Sequence, residues 1–171
     1  ELKRSKTKTL ANELQKLDCQ QGAGQLDDFE GKFQNIQQIL QRILDPSELT
    51  FTRFLGTVEL VYHSGIESLD RIVTLLTNID DIDKEELERK IKTLKSKKDK
   101  TDADHKTLKA YEERKMIYDS AQNEVADLLA RNEEALTEID KAGVSIANIK
   151  TSGSMPSNLE SALGDLVSLV N

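Results

Sequence analysis

Leu26, Phe29, Phe33, Ile36, Leu40 and Ile43 follow one another at steps of three, four, three, four and three residues. An α-helix turns once every ~3.6 residues, so side chains at this spacing share one face. On a strand they would scatter over both faces of a sheet. The row is a seam of a and d positions and predicts a helix over Leu26–Leu44. The rhythm resumes after "DPSE". Leu55, Tyr62, Leu69 and Leu76 recur every seven residues, beside Phe51, Val58, Gly65, Ile72 and Ile79. Phe54, Val61, Ile66, Val73 and Leu75 widen the stripe, so this helix is expected to touch more than one neighbour.

Composition fits the same class. Aromatic residues make up 4% of the 171, there is no Trp, Pro occurs twice, and 32% are charged. A sandwich or barrel would need more aromatic and β-branched residues and more turn punctuation. The reading is an all-α fold: a bundle of four to six helices with a long antiparallel coiled-coil hairpin protruding from it.

Breaks between helices follow capping chemistry. Leu10, Leu14 and Leu17 predict a first helix over Leu2–Cys19, and "QQGAGQ" (Gln20–Gln25) then reads as a glycine loop. In "DPSE", Asp45 is the expected cap, Pro46 the first helical residue and Glu48 the N3 partner. Asp83 with Glu86 repeats the pattern, and Leu87, Ile91 and Leu94 give the following helix a narrow seam.

"KSKKDKTDADHK" (Lys95–Lys106) has almost no apolar content and reads as the hairpin tip, centred near Asp99–Asp102. Thr101 and Asp104 are suited to cap a return arm from Ala103 to Ile149, carried by residues such as Leu108, Tyr111, Tyr118, Val125, Leu136, Ile139 and Ile146. "KTSGSMPS" (Lys150–Ser157) reads as a loop, and Ser157 with Glu160 opens a last helix bearing Leu159, Leu163, Leu166, Val167 and Val170. The expected division is 1–83 and 119–171 as two parts of one bundle, with 84–118 as the charged hairpin.

Charge is uneven. Residues 84–115 hold twelve basic and eight acidic residues, a balance of +4, against −11 for the remainder of a chain of net charge −7. Lys95, Lys97, Lys98 and Lys100 cluster at the expected tip and are the candidate partner-binding residues, for an acidic protein or an anionic lipid surface. No aromatic platform accompanies them, and the chain is acidic, so nucleic acid is not an expected partner. Lys3, Arg4, Lys6 and Lys8 form a second basic group, of the kind found beside a membrane anchor.

In "FTRFLGTVELVYHSGIE" (Phe51–Glu67), Tyr62 and His63 offer a possible base beside a polar aromatic. Gly65 falls on the seam, where a missing side chain permits a close helix crossing, leaves room for the ring of Phe29 or Phe33, or opens a cavity. Core packing is the preferred answer, with Tyr62, His63 and Gly65 kept as a candidate cavity. Two histidines 42 residues apart and one cysteine make no zinc spacing. "DDID" (Asp80–Asp83) lacks the glycine of a calcium loop and reads as a helix cap. No H-E-x-x-H, G-x-S-x-G or Walker loop is present, so neither catalysis nor a cofactor is expected.

"ILDPSELTFTRFL" (43–55), "VELVY" (58–62) and "NEEALTEIDKA" (132–142) together resemble bacterial helical proteins named for 5-bromo-4-chloroindolyl phosphate hydrolysis, the XpaC type. The likeness spans about half of the chain. It implies a cytosolic helical domain behind an N-terminal membrane region, and it carries over no functional residue. A first residue of Glu rather than Met is expected of a fragment or a processed form. The lone Cys19 fits a reducing compartment.

The favoured function is therefore a non-enzymatic protein-interaction or scaffolding module in the bacterial cytoplasm, pairing through helices with a partner or with itself. A membrane-surface module, as the soluble part of a membrane-associated protein, is the second reading. A small-ligand binder or enzyme is the third.

Overall fold

The computed structural model describes residues 2–152 and 157–168, with the side chains of 6–148, 161 and 163–168. Six helices and no strands are present among the described residues: α1 (Leu2–Lys16), α2 (Gln20–Ile43), α3 (Leu49–Ile79), α4 (Lys84–Ser96), α5 (Asp102–Ser152) and α6 (Ser157–Ser168). The all-α reading holds. α2, α3 and the second half of α5 pack on one another, α1 lies against α2 and α3, and α6 covers α5 and α3. α4 packs against α5 alone among the described residues.

The seam residues make the core. Leu26, Phe29, Ile36 and Leu40 of α2 are buried against Phe54, Val58, Leu69 and Ile72 of α3 and Leu136, Ile139 and Ile146 of α5. Each such side chain contributes about 1.5–3 kcal/mol when removed from water. Phe33, Leu55, Tyr62 and Leu76 are half-buried at the edges of the stripe.

The glycine loop does not form, because α2 begins at Gln20. The chain turns three residues earlier, in a Schellman motif. Cys19 N–H donates to the Leu14 carbonyl at 2.9 Å and Asp18 N–H to the Gln15 carbonyl at 3.1 Å. Asp18, with φ of 53°, takes the left-handed position that glycine usually fills. Gly22 serves packing instead. A Cβ there would stand 2.9 Å from Cys19 Sγ and 3.0 Å from Leu14 Cδ2.

Two further boundaries move. Asp45–Glu48 forms a turn ahead of α3, so the helix starts at Leu49, not Pro46. Asp45 Oδ1 accepts from the Ser47 N–H at 2.8 Å and hydroxyl at 2.7 Å, and Asp45 N–H donates to Glu48 Oε1 at 3.2 Å. The reciprocal pair exists but closes a turn. α5 continues through Ile149 to Ser152, so the first residues of the expected loop after Ile149 are helical. α5 crosses residue 118 without interruption, as the expected return arm does, so one continuous helix links the hairpin to the bundle. The side chains of Lys3, Arg4, Ile149, Ser157, Leu159, Glu160 and Val170, and the chain at 153–156, lie outside the described residues.

Candidate functional site

The pairing of α4 with the start of α5 is built from short-range chemistry. Asp83 accepts from the Glu86 N–H at 2.8 Å and caps α4, as its spacing predicts. Leu87 and Ile91 are buried against α5, and Leu94 is half-buried. At the other end Thr101 and Asp104 cap α5 reciprocally. Thr101 N–H donates to Asp104 Oδ2 at 2.8 Å, and Asp104 N–H donates to Thr101 Oγ1 at 3.2 Å.

The four tip lysines are mostly committed within the hairpin. Lys95 pairs with Glu112 at 2.7 Å and Lys97 with Asp104 at 2.6 Å. Lys100 Nζ donates to the carbonyls of Lys95 at 2.9 Å and Lys97 at 2.8 Å, which satisfies the C-terminal end of α4. Lys98 alone of the four projects without a partner among the described residues. The carboxyl of Asp104 is held down at about 2, chiefly by the Lys97 ammonium and then by the backbone and hydroxyl of Thr101.

The two edges of the hairpin differ. Residues on a helix turn by ~100° each, so Lys84, Glu88 and Lys95 fall to one side of the Leu87–Ile91 seam. Glu86, Lys90 and Thr93 fall to the other. The first edge is laced across to α5 by Lys84–Asp119 at 3.4 Å, Glu88–Lys115 at 3.6 Å and Lys95–Glu112 at 2.7 Å. On the second edge no ion pair joins α4 to α5 among the described residues.

A groove of about 400 Å³ opens on that second edge, lined by Glu86, Arg89, Lys90, Thr93, Leu94, Thr107 and Tyr111. It narrows towards Ile82 into a cleft of about 90 Å³ that shares Glu86, Lys90 and Tyr111 and adds Asp81, Asp83 and Arg114. Lys90 pairs with Glu86 of its own helix at 2.6 Å and stands 5.9 Å over the Tyr111 ring. Glu86 raises Lys90 above the ordinary lysine value, and the like charge of Arg114 opposes it. Arg89 and Arg114 have no carboxylate partner among the described residues.

Tyr62, His63 and Gly65 do not meet in one cavity. Tyr62 stacks on Phe33 with centroids 5.1 Å apart, and its hydroxyl is raised by burial and then by Glu30. His63 lies 3.5 Å from Glu59 at the edge of the stripe and is 42% exposed. Gly65 receives Phe29, whose Cε2 and Cε1 would be 2.6 and 2.7 Å from an added Cβ. Of the two expected rings it is therefore Phe29 that fills the notch.

Gly65 also lines a separate recess of about 370 Å³ between α3, α5 and α6, with Ser64, Ser68, Leu128, Arg131 and Asn132. The Ser68 hydroxyl there is buried without a hydrogen-bond partner.

Gln25 and Asn132, 2% and 3% exposed, are polar residues that periodicity alone does not single out. Asn132 Nδ2 donates to Gln25 Oε1 at 3.0 Å, and Gln25 Nε2 donates to the Leu129 carbonyl at 2.9 Å and Glu133 Oε1 at 2.7 Å. A signal existed in the seven-residue row Tyr118, Val125, Asn132, Ile139 and Ile146, where one polar residue interrupts the core.

No helix among the described residues is long and apolar enough to cross a membrane. The chain matches no family model, no curated protein and no solved structure.

Proposed function

We propose that the chain is a non-enzymatic interaction module that receives a helix of a partner on the α4–α5 hairpin. The supporting observation is that α4 packs against α5 alone among the described residues, leaving the hairpin's second edge uncovered. A two-helix hairpin buries its seam on one side only, and a third helix completes it. Leu94 and Tyr111 are half-buried and border the uncovered groove. On its resemblance to XpaC-type proteins we place the module in the bacterial cytoplasm. Site-specific photo-crosslinking in bacterial lysate tests the reading. A photoreactive residue at Thr93, in the groove, is expected to give discrete protein adducts, and one at Lys92, outside it, is not. Equal yields, or none at either position, would count against it.

The unsatisfied Ser68 hydroxyl favours one second reading, a small-ligand site in the recess between α3, α5 and α6. A panel of amino acids and short carboxylates is then expected to raise Tm, with the rise lost in Ser64→Leu. A flat panel would remove this reading. Gly65→Leu is the poorer block, because its side chain would strike Phe29.

A further inference from the structure

The buried amides of Gln25 and Asn132 leave one acceptor over, and it belongs to a residue of the recess between α3, α5 and α6. Gln25 Nε2 carries two hydrogens and gives both away, to the Leu129 carbonyl at 2.9 Å and to Glu133 Oε1 at 2.7 Å. Its Oε1 must therefore face Asn132, which answers with Nδ2 at 3.0 Å. The network thus fixes which way the Asn132 amide is turned. Asn132 Oδ1 takes no hydrogen bond among the described residues, although the residue is 3% exposed and lines the recess. Ser68, across the recess on α3, has a buried hydroxyl that also lacks a partner. Buried polar groups left open in this way are uncommon, and two of them belong to the lining of one recess.

We propose that the recess binds a free α-amino acid whose side chain is neutral and donates hydrogen bonds, a carboxamide being the best fit. The inference rests on the reading of the recess as a small-ligand site and adds the chemical class. Its volume of about 370 Å³ lies within the range of about 300–1,000 Å³ usual for such sites. Arg131 and Glu134 line it as well, three residues apart on α5 and exposed. Neither is ion-paired among the described residues, with the other or with anything else. A simple carboxylate would meet Arg131 but also Glu134, and a simple amine the reverse. A zwitterion offers a carboxylate to the guanidinium and an ammonium to the carboxylate, so both charges are answered at once. The side chain then reaches inward. Its amide N–H donates to Asn132 Oδ1 and its carbonyl accepts from the Ser68 hydroxyl, while Val61 and Leu128 supply apolar wall for its methylenes.

The test titrates the whole chain with four probes and follows heat and proton–nitrogen NMR shifts. L-Glutamine is expected to bind and to move the Asn132 side-chain amide signals. L-Leucine keeps the zwitterion but lacks the amide, and butyramide keeps the amide but lacks both charges. Each should bind at least about tenfold more weakly than L-glutamine. Glutarate is the bare-carboxylate control and should bind no better than they do. The variants Arg131→Gln and Glu134→Gln should each weaken L-glutamine at least about tenfold and leave butyramide unchanged. Both positions are exposed, so the circular dichroism spectrum and Tm without ligand should stay as in the native chain. Lys109→Gln, on the hairpin, should bind L-glutamine as the native chain does.

Binding of L-leucine equal to that of L-glutamine overturns the inward amide, and equal binding of butyramide overturns the zwitterion. L-Glutamine binding that ignores both variants, or that leaves the Asn132 amide signals in place, removes the amino acid from this recess. Glutarate binding in the recess without L-glutamine overturns the amino-acid class and leaves the small-ligand reading standing. Binding of none of the four overturns the inference, and with a flat Tm panel the small-ligand reading goes with it.

Discussion

Gly65 and Gly56 lie nine residues apart on α3 and answer to different constraints. Both forgo the ~1 kcal/mol of helix stability that Ala would bring. At Gly65 the space is taken by Phe29, so a methyl group must displace a buried ring. At Gly56 nothing lies within 4 Å of the added carbon. Gly65→Ala is therefore expected to destabilise by about 1–3 kcal/mol and Gly56→Ala to stabilise by about 0.5–1 kcal/mol, read from urea midpoints. The role of Gly65 was legible in sequence because it falls in a seven-residue apolar row, and a gap in such a row must be filled from outside. Asn132 was less legible. It sits in such a row too, but its partner Gln25 lies 107 residues away and no spacing rule connects them. Removing the amide in Asn132→Ala leaves Gln25 Oε1 buried without its donor. A loss of about 1–3 kcal/mol is expected in the same measurement.

At the scale of elements, helix ends decide how well the sequence can be read. The α1–α2 turn was misplaced because two glycines advertise a loop, while the residue in the left-handed conformation is Asp18. Gly22 is required by the closeness of Leu14 and Cys19, a tertiary demand that local propensity does not encode. Asp18→Gly should relieve the strained backbone and stabilise by up to about 1 kcal/mol, seen as a higher urea midpoint. The caps Asp83–Glu86 and Thr101–Asp104, the second of them reciprocal, were legible because four residues suffice to specify them. The Asp104 cap carries a pH signature. Its carboxyl titrates at about 2 in the fold against an ordinary value of 3.8, because Lys97 and Thr101 hold the ionised form. A lowered folded value means the contribution is full above about pH 4 and is lost as pH falls towards 2. Side-chain carboxyl NMR through an acid titration should place the Asp104 midpoint near 2. A midpoint near 3.8 would mean the Lys97 contact is not made.

In the molecule as a whole, a bundle of wide apolar stripes is joined to a hairpin of narrow ones, and one helix belongs to both. α5 spans 51 residues, about 75 Å, and only its second half lies among α2, α3 and α6. The sequence shows apolar content fading between Lys95 and Lys106. It locates basic charge at the tip, where the structure ties up three of the four lysines. The groove on the side was not legible. It follows from which edge the interhelical ion pairs occupy, and ion pairs between helices depend on register rather than composition. On the proposed function, partners meet the molecule on this open edge and not in the recess beside Gly65. Amide hydrogen exchange on the whole chain, with and without a synthetic amphipathic helical peptide of about three heptads with Leu at a and d, is the direct test. Slowed exchange confined to residues 86–94 and 107–114 is the predicted result. Protection centred on residues 61–68 and 128–135, with the hairpin unchanged, would contradict it.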